Sequence, residues 1–178
     1  TLWAQTRARV ARGVMIHQDP SKALHLRDLA ISLGAWTVYE EPAAKRSRQI
    51  QALGPHTRVY GWGRDELEFV REVSQGGGAV IPADWSLNLS ALRHLPATGP
   101  VRSRLPKPRA RSSGERVVAF VVSDGDNLQW VGGRFVDDPS FWASPLRGRF
   151  AVTWEMPPEA WVMAPRILGK ILGMATPL

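Results

Sequence analysis

Six of the 16 acidic residues of this chain share one pattern, in which a carboxylate lies at or just after the end of a short apolar run. The members of the pattern are Glu40, Asp65, Asp84, Asp124 with Asp126, and Glu155. If the runs are parallel strands, their carboxyl ends meet at one edge of a sheet, where α/β proteins hold their ligands. Carboxylates that converge raise one another's pKa, so one can stay protonated while its neighbour is ionised. Glycoside cleavage needs such a pair, with one general acid and one base or nucleophile.

The stretch VVAFVVSDGDN, residues 117–127, is the clearest instance of the pattern. Its six consecutive apolar residues, 117–122, are mostly β-branched and predict a central parallel strand with both faces covered. Two interpretations of its end stay open. Asp124 and Asp126 either face a ligand, or they belong to a turn in which Asn127 or Asp126 caps a helix beginning at Leu128.

Four tryptophans accompany these acids. Each lies within four residues of one of them: Trp62, Trp85, Trp130 and Trp154. An indole ring offers a flat apolar face to the C–H face of a sugar, together with one N–H donor. The alternative is that these rings fill the core, which is the interpretation favoured for Trp36 and Trp161.

The elements that position these residues alternate between strand and helix along the chain. Such alternation predicts an α/β fold with a mostly parallel sheet, either an open doubly wound sheet or a partial or distorted (β/α) barrel. A full barrel takes about 250 residues, so the 178 residues here are expected to be a fragment of a larger barrel-like domain. Helical patterns cover residues 23–33 and 158–172, the second with a break at Pro165. The spacing of Leu67, Val70 and Val73 predicts one further helix.

Length and composition suit a single domain, residues 1–178, with 44% hydrophobic residues for its core. The absence of cysteine excludes disulfides, thiolate metal sites and a cysteine nucleophile. No stretch reaches the roughly 18 apolar residues that cross a membrane, and no signal peptide is visible at the N-terminus. The sequence therefore predicts no membrane partner.

The net charge of +7 is concentrated in two places. Residues 101–116 hold six basic residues and one acidic residue, residues 1–12 hold three arginines, and the rest of the chain is close to neutral. Residues 96–115 are rich in proline and arginine, which predicts an exposed connector. Because the charge lies in this connector and at one end, the sequence predicts no nucleic-acid partner.

Other motifs carry little information. The DGD of residues 124–126 also matches the D-x-D that binds a metal-bound nucleotide sugar. No phosphate-binding, dinucleotide-binding, nucleophile-elbow or zinc-protease motif occurs. The four histidines lack ligand spacing, and each is interpreted as a surface or hydrogen-bonded core residue. The sequence predicts neither a metal site nor a cofactor.

Four segments of the chain together resemble one known family. They are GWG-x-DE, ADWSLNLS, SDGDNLQW and RGRFAVTW followed by prolines, and they span about residues 58–166 in order. They resemble the GxGYxYP-motif family of putative glycoside hydrolases. This resemblance implies a large, barrel-like α/β C-terminal domain, an extracellular or periplasmic location, and hydrolase activity. The G-x-G-Y-x-Y-P segment itself is absent from these 178 residues and is expected beyond residue 178.

The resemblance marks a set of residues that spans both halves of the chain. It comprises Asp65, Glu66, Asp84, Trp85, Asn88, Ser123, Asp124, Gly125, Asp126, Asn127 and Trp154. The resulting hypothesis is a glycoside hydrolase domain that binds carbohydrate. Its predicted catalytic residues are Asp124 and Asp126, with Asp84 and Glu155 as partners. The predicted substrate-binding residues are Trp62, Asp65, Glu66, Trp85, Asn88, Asn127, Trp130 and Trp154.

Two alternatives belong to other functional classes. The first is a carbohydrate-binding domain that has the same polar rim but no activity. The second is a glycosyltransferase that uses the D-x-D motif and requires a divalent metal.

Overall fold

A computed structural model describes residues 5, 8–22, 24–39, 42–99, 110 and 112–176 of the protein. Composition alone predicts one domain; the chain folds as two compact units, Thr1–Ala91 and Leu92–Leu178. Most of the predicted connector, including residues 100–109 and 111, lies outside the described residues. Within the described chain, no helix has the length and apolar character needed to cross a membrane.

The first unit is built on a parallel sheet, as the alternation of strands and helices predicted. Its strands are β1 (Val14–His17), β2 (Trp36–Val38), β3 (Arg58–Gly61) and β4 (Ala79–Ile81). Its helices are a 3-10 turn (Pro20–Lys22), α1 (Arg27–Leu33), α2 (Ala43–Leu53), α3 (Glu66–Gln75) and α4 (Leu89–Leu92). Every strand pair is parallel, and the strand order is β2-β1-β3-β4. The α/β class with parallel strands is therefore confirmed.

This strand order changes direction beside β1. The chain adds β2 on one side of β1 and then crosses to add β3 and β4 on the other. In open α/β sheets the carboxyl ends of strands at such a switch point border the ligand crevice. The approach of β3 to β1 is close here, because a Cβ on Gly61 would overlap the carbonyl oxygen of His17. Gly61 also has a φ of +119°, which favours glycine.

The core of the first unit lies between the sheet and helices α2 and α3. Its buried members are Met15, Val38, Ile50, Leu53, Val59, Phe69 and Val73. Helix α3 begins after its N-cap Asp65, whose side chain accepts a hydrogen bond from the Glu68 N–H at 2.8 Å. The face that α3 buries contains Phe69, Glu72 and Val73, whereas Leu67 stays exposed. The helix itself was predicted correctly.

The second unit contains shorter elements around an aromatic core. Its elements are β5 (Val121–Val122), α5 (Leu128–Gly132), β6 (Thr153–Trp154), α6 (Ala160–Met163) and α7 (Pro165–Gly173). Strands β5 and β6 pair in parallel, with Val122 opposite Trp154. The core cluster comprises Val131, Phe135, Val136, Trp142 and Ile171. The predicted break at Pro165 is confirmed, since α7 begins at that residue.

The apolar run at residues 117–122 is where the prediction of burial was wrong. Only Val121 and Val122 of the run pair with another strand, and both are exposed. Val118 is 74% exposed. The physical reason is the lack of covering layers: among the described residues β5 has β6 as its sheet partner, and the second unit buries its aromatic cluster instead. Val121 and Val122 form a parallel pair with β6, but the run is not a covered central strand.

Candidate functional site

The DGD turn follows β5 and is held against the end of β6. Asp124 has a φ of +66°, a left-handed conformation that is unusual for a residue other than glycine. Its backbone N–H donates a hydrogen bond to Oε2 of Glu155 at 3.0 Å. Both side chains are exposed. The parallel pairing thus brings two of the predicted catalytic residues together, although they are 31 positions apart.

Gly125 lies at the centre of this turn and is buried. A Cβ at this position would overlap the backbone carbonyl of Glu155. Any larger residue would therefore push the turn away from the end of β6. Asp126, the next residue, is exposed. The turn accordingly presents Asp124 and Asp126 on either side of a glycine that packs against Glu155.

The residue that caps α5 is Asn127. Its side-chain oxygen accepts a hydrogen bond from the Trp130 N–H at 2.8 Å, and the helix begins at Leu128. The predicted cap and helix start are therefore confirmed, with Asn127 rather than Asp126 as the N-cap. Helix α5 does not depend on the carboxylate of Asp126. The predicted contact of Asn127 with a substrate stays a prediction.

Trp130 and Trp154 pack on the aromatic core of the second unit. Trp130 lies edge-on to Phe141, with ring centroids 4.5 Å apart, and Trp154 lies edge-on to Trp142 at 5.5 Å. Both tryptophans are half-buried. These contacts fix the positions of the Trp130 ring on α5 and the Trp154 ring on β6, and each ring keeps part of its surface exposed. Their role as sugar platforms stays a prediction.

In the first unit, Asp84 follows β4 and is buried. Its carboxylate forms an ion pair with Lys22, and its backbone carbonyl accepts a hydrogen bond from Nε2 of Gln18 at 3.2 Å. The Lys22 ammonium also lies 4.2 Å from the ring centroid of Trp85, a cation–π distance. Asp84 therefore has a charged partner that the sequence pattern did not indicate. The predicted catalytic role of Asp84 stays a prediction.

Trp85 is the most open of the four predicted tryptophans, with 56% of its surface exposed. The His25 ring meets it edge-on at 5.2 Å. Lys22 and His25 thus hold an indole whose surface remains more than half accessible. An exposed, positioned indole suits stacking on a sugar ring.

The remaining predicted binding residues of the first unit follow β3 or β4. Trp62 is half-buried and lies edge-on to Phe69 at 6.3 Å. Asp65 is the N-cap of α3, and Glu66 is an exposed residue of its first turn. Asn88 is exposed and has a left-handed φ of +60°. Asp65 therefore has a structural function, while the substrate contacts of all four residues stay predictions. Glu40 lies outside the described residues.

A buried polar network near the switch point was not anticipated from the sequence. His17 Nδ1 donates to the Trp62 carbonyl at 3.0 Å, and its Nε2 accepts from Nη1 of Arg46 at 3.3 Å. Arg46 also forms a buried ion pair with Glu72. For His17, the interpretation as a hydrogen-bonded core histidine is confirmed. The signals available in the sequence were the run VMIH, which is β1, and an acidic residue among the apolar positions of α3.

Lowering the pH below about 6.5 is expected to destabilise the unit that contains His17. Burial is the largest cause that lowers the pKa of His17 from its ordinary value of 6.5; the Trp62 hydrogen bond raises this pKa, and Arg46 lowers it further. The unfolded chain therefore takes up the proton at a higher pH than the folded protein does. The contribution of the neutral His17 to the free energy of unfolding is fully present above about pH 6.5. It is lost as the pH falls through the folded-state pKa.

Urea unfolding followed by circular dichroism at a series of pH values measures this effect. The variant His17→Gln keeps a polar side chain but has no group that titrates in this range. Its free energy of unfolding is expected to change less between about pH 6.5 and the folded-state pKa than that of the wild type. An identical slope for the two proteins would contradict the assignment to His17.

No cluster of three or more His, Cys, Asp or Glu side chains suited to a metal ion occurs in the described part of the chain. In chemical terms, the second unit presents three carboxylates at the carboxyl edge of a parallel strand pair. The first unit presents an ion pair and an open indole at the same kind of edge. The class defined by these features is an α/β protein with strand-end carboxylates beside aromatic side chains.

The chain belongs to the GxGYxYP family. The model of the GxGYxYP third domain matches residues 12–94, and that of the GxGYxYP putative glycoside hydrolase C-terminal domain matches residues 115–178. The two matches together cover most of the chain, so the resemblance found in the sequence is confirmed.

The fold is similar to the crystal structure of a putative hydrolase from Bacteroides thetaiotaomicron VPI-5482. The two share a TM-score of 0.80 at 24% sequence identity. The match covers 97% of this chain and 34% of that chain, so this chain spans about a third of the length of the solved structure. At this identity the likeness establishes the fold. No curated protein matches the sequence.

Proposed function

We propose that this chain contributes the acidic site of a glycoside hydrolase, with Asp124 and Asp126 as the reacting carboxyl groups. The observation that carries the proposal is the Asp124–Asp126 turn, which follows one parallel strand and packs against Glu155 at the end of the next. The family to which the chain belongs supports the same class of activity.

The chemistry of glycoside cleavage fits these residues. The reaction uses one carboxyl group to protonate the leaving oxygen and a second as base or nucleophile. Asp124 and Asp126 are both exposed, so a substrate can reach them. The cap of α5 is Asn127, so the carboxylate of Asp126 is not committed to ending the helix. These features favour a chemical role for the aspartates over a role in the turn alone.

The proposed ligand is a carbohydrate, and the first unit is proposed to bind a sugar ring by itself through the open face of Trp85. The exposed fraction of this indole and its contacts with Lys22 and His25 support that role. Action on extracellular or periplasmic polysaccharide is part of the proposal and rests on the family.

Hydrolysis of a panel of aryl glycosides and polysaccharides by the full-length gene product tests the proposal. The expected result is release of aglycone or reducing sugar that persists after treatment with a chelator. Binding of carbohydrate without hydrolysis would instead support a carbohydrate-binding domain. Sugar transfer from a nucleotide sugar that requires added divalent metal would support the glycosyltransferase alternative.

A further inference from the structure

We infer that Glu155 is a positioning residue, which holds the Asp124–Asp126 turn in its reactive conformation and does not exchange a proton with the substrate. The inference rests on the proposed function for the identity of the reacting groups. The sequence suggested that Glu155 is a further catalytic carboxylate. The inferred role is instead to hold the backbone of the turn in place. Glu155 makes three contacts that support this role.

The first contact is within the sheet. The backbone N–H of Glu155 donates to the carbonyl of Val122 at 3.0 Å and so extends the pairing of β5 with β6 by one residue. This bond fixes the end of β6 relative to the last residue of β5. Ser123 then leads directly into the turn, so the position of Glu155 determines where the turn begins.

The second contact lies beneath the turn. Gly125 packs so closely on the Glu155 backbone that a Cβ would overlap its carbonyl oxygen. The side chains of Asp124 and Asp126 flank this glycine in the sequence. The surface on which the turn rests is therefore the backbone of Glu155, and the sequence DGD suits it because only glycine fits at the centre.

The third contact is made by the side chain. Oε2 of Glu155 accepts the backbone N–H of Asp124 at 3.0 Å, and Asp124 is the residue in the left-handed conformation. A residue with a Cβ adopts this conformation only where its surroundings impose it. A hydrogen bond to a carboxylate is stronger than one to a neutral acceptor. The Glu155 carboxylate thus stabilises an unfavourable backbone conformation and orients Asp124 through its backbone N–H.

A comparison of Glu155→Gln with Glu155→Ala tests this role. Glutamine keeps a side-chain oxygen that accepts the Asp124 N–H but cannot ionise, so kcat is expected to stay within about fivefold of the wild type. Alanine removes the acceptor, and kcat is expected to fall by about tenfold to a hundredfold through misplacement of the aspartates. The limbs of the pH profile should coincide in the wild type and in Glu155→Gln. Loss of a limb, or an equal loss of kcat in both variants, would overturn the inference.

A second measurement does not depend on hydrolysis. Amide hydrogen exchange at Asp124, followed by NMR, is expected to be slow in the wild type and in Glu155→Gln and faster in Glu155→Ala. The matched control is Asp137→Ala, which removes an exposed carboxylate of the same unit that pairs with Lys170; it should leave the exchange at Asp124 unchanged. Unaltered exchange in Glu155→Ala would overturn the inference. A wild-type protein that shows no hydrolysis would refute the proposed function, while the exchange data would still decide the role of Glu155 in holding the turn.

Discussion

Asp126→Asn is expected to slow glycoside hydrolysis by about a hundredfold or more, because it removes an ionisable group from the reaction. The substitution keeps the size and shape of the side chain, and the cap of α5 is Asn127. The melting temperature should therefore stay within about 2 °C of the wild-type value. Rates of hydrolysis on the best substrate of the panel, together with thermal unfolding curves, measure both quantities.

The design separates three roles for the turn. Asp124→Asn should show a loss of rate similar to that of Asp126→Asn, while Asp137→Asn, an exposed carboxylate in the same unit, should be fully active. A binding site without activity would lose affinity for the sugar in the aspartate variants and show no turnover in the wild type. Equal hydrolysis by the wild type, Asp124→Asn and Asp126→Asn would mean that the aspartates only form a turn.

The parallel α/β fold could be predicted because its signal is local. Each of strands β2, β3 and β4 is a short apolar run with a helical segment after it, and this alternation is visible without any tertiary information. Strand β1 was missed although it is fully buried. It has only four residues and ends in His17, whose burial depends on hydrogen bonds to Trp62 and Arg46. These partners are distant in the sequence, so no local pattern predicts them.

The burial of two segments could not be predicted from the sequence, for related reasons. The spacing of apolar residues predicted helix α3 but gave no sign that it buries Glu72, a carboxylate that pairs with Arg46. A pattern of apolar residues predicts that an acidic residue is exposed. It contains no information about an ion-pair partner 26 positions away. The apolar run before the DGD turn was predicted to be buried, but it is exposed. Its burial requires layers on both faces, and composition does not report whether such layers are present.

The acidic site was partly predictable. The sequence indicated that Asp124, Asp126 and Glu155 lie at strand ends, and the parallel pairing of β5 with β6 brings Asp124 and Glu155 into contact. The manner of the contact depends on register. Because Val122 lies opposite Trp154, the next residues on the two strands adjoin, and a shift of one position would separate Oε2 of Glu155 from the Asp124 N–H. Register is a tertiary property, which explains why Glu155 was predicted as a catalytic group and not as a support for the turn.

Arg46→Met is expected to destabilise the first unit by about 3–5 kcal/mol, the usual cost of leaving one member of a buried ion pair without its partner. Arg46 and Glu72 are both buried, at 7% and 6% exposure. The substitution would leave the Glu72 carboxylate without this cation in a nonpolar environment, and His17 Nε2 would lose its donor. Since a domain's total stability is about 5–15 kcal/mol, this loss would bring the unit close to unfolding at ordinary temperatures.

The double variant Arg46→Met with Glu72→Leu is the matched control for this prediction. It removes both charges and fills their space with apolar side chains, and such replacements are often neutral or stabilising. The double variant should therefore be more stable than Arg46→Met alone, and urea unfolding followed by circular dichroism measures the difference. If Arg46→Met cost less than about 1 kcal/mol, a value typical of a surface ion pair, the buried network would contribute little to this unit. The double variant should be the more stable of the two because Arg46 offsets the cost of burying the charged Glu72 carboxylate.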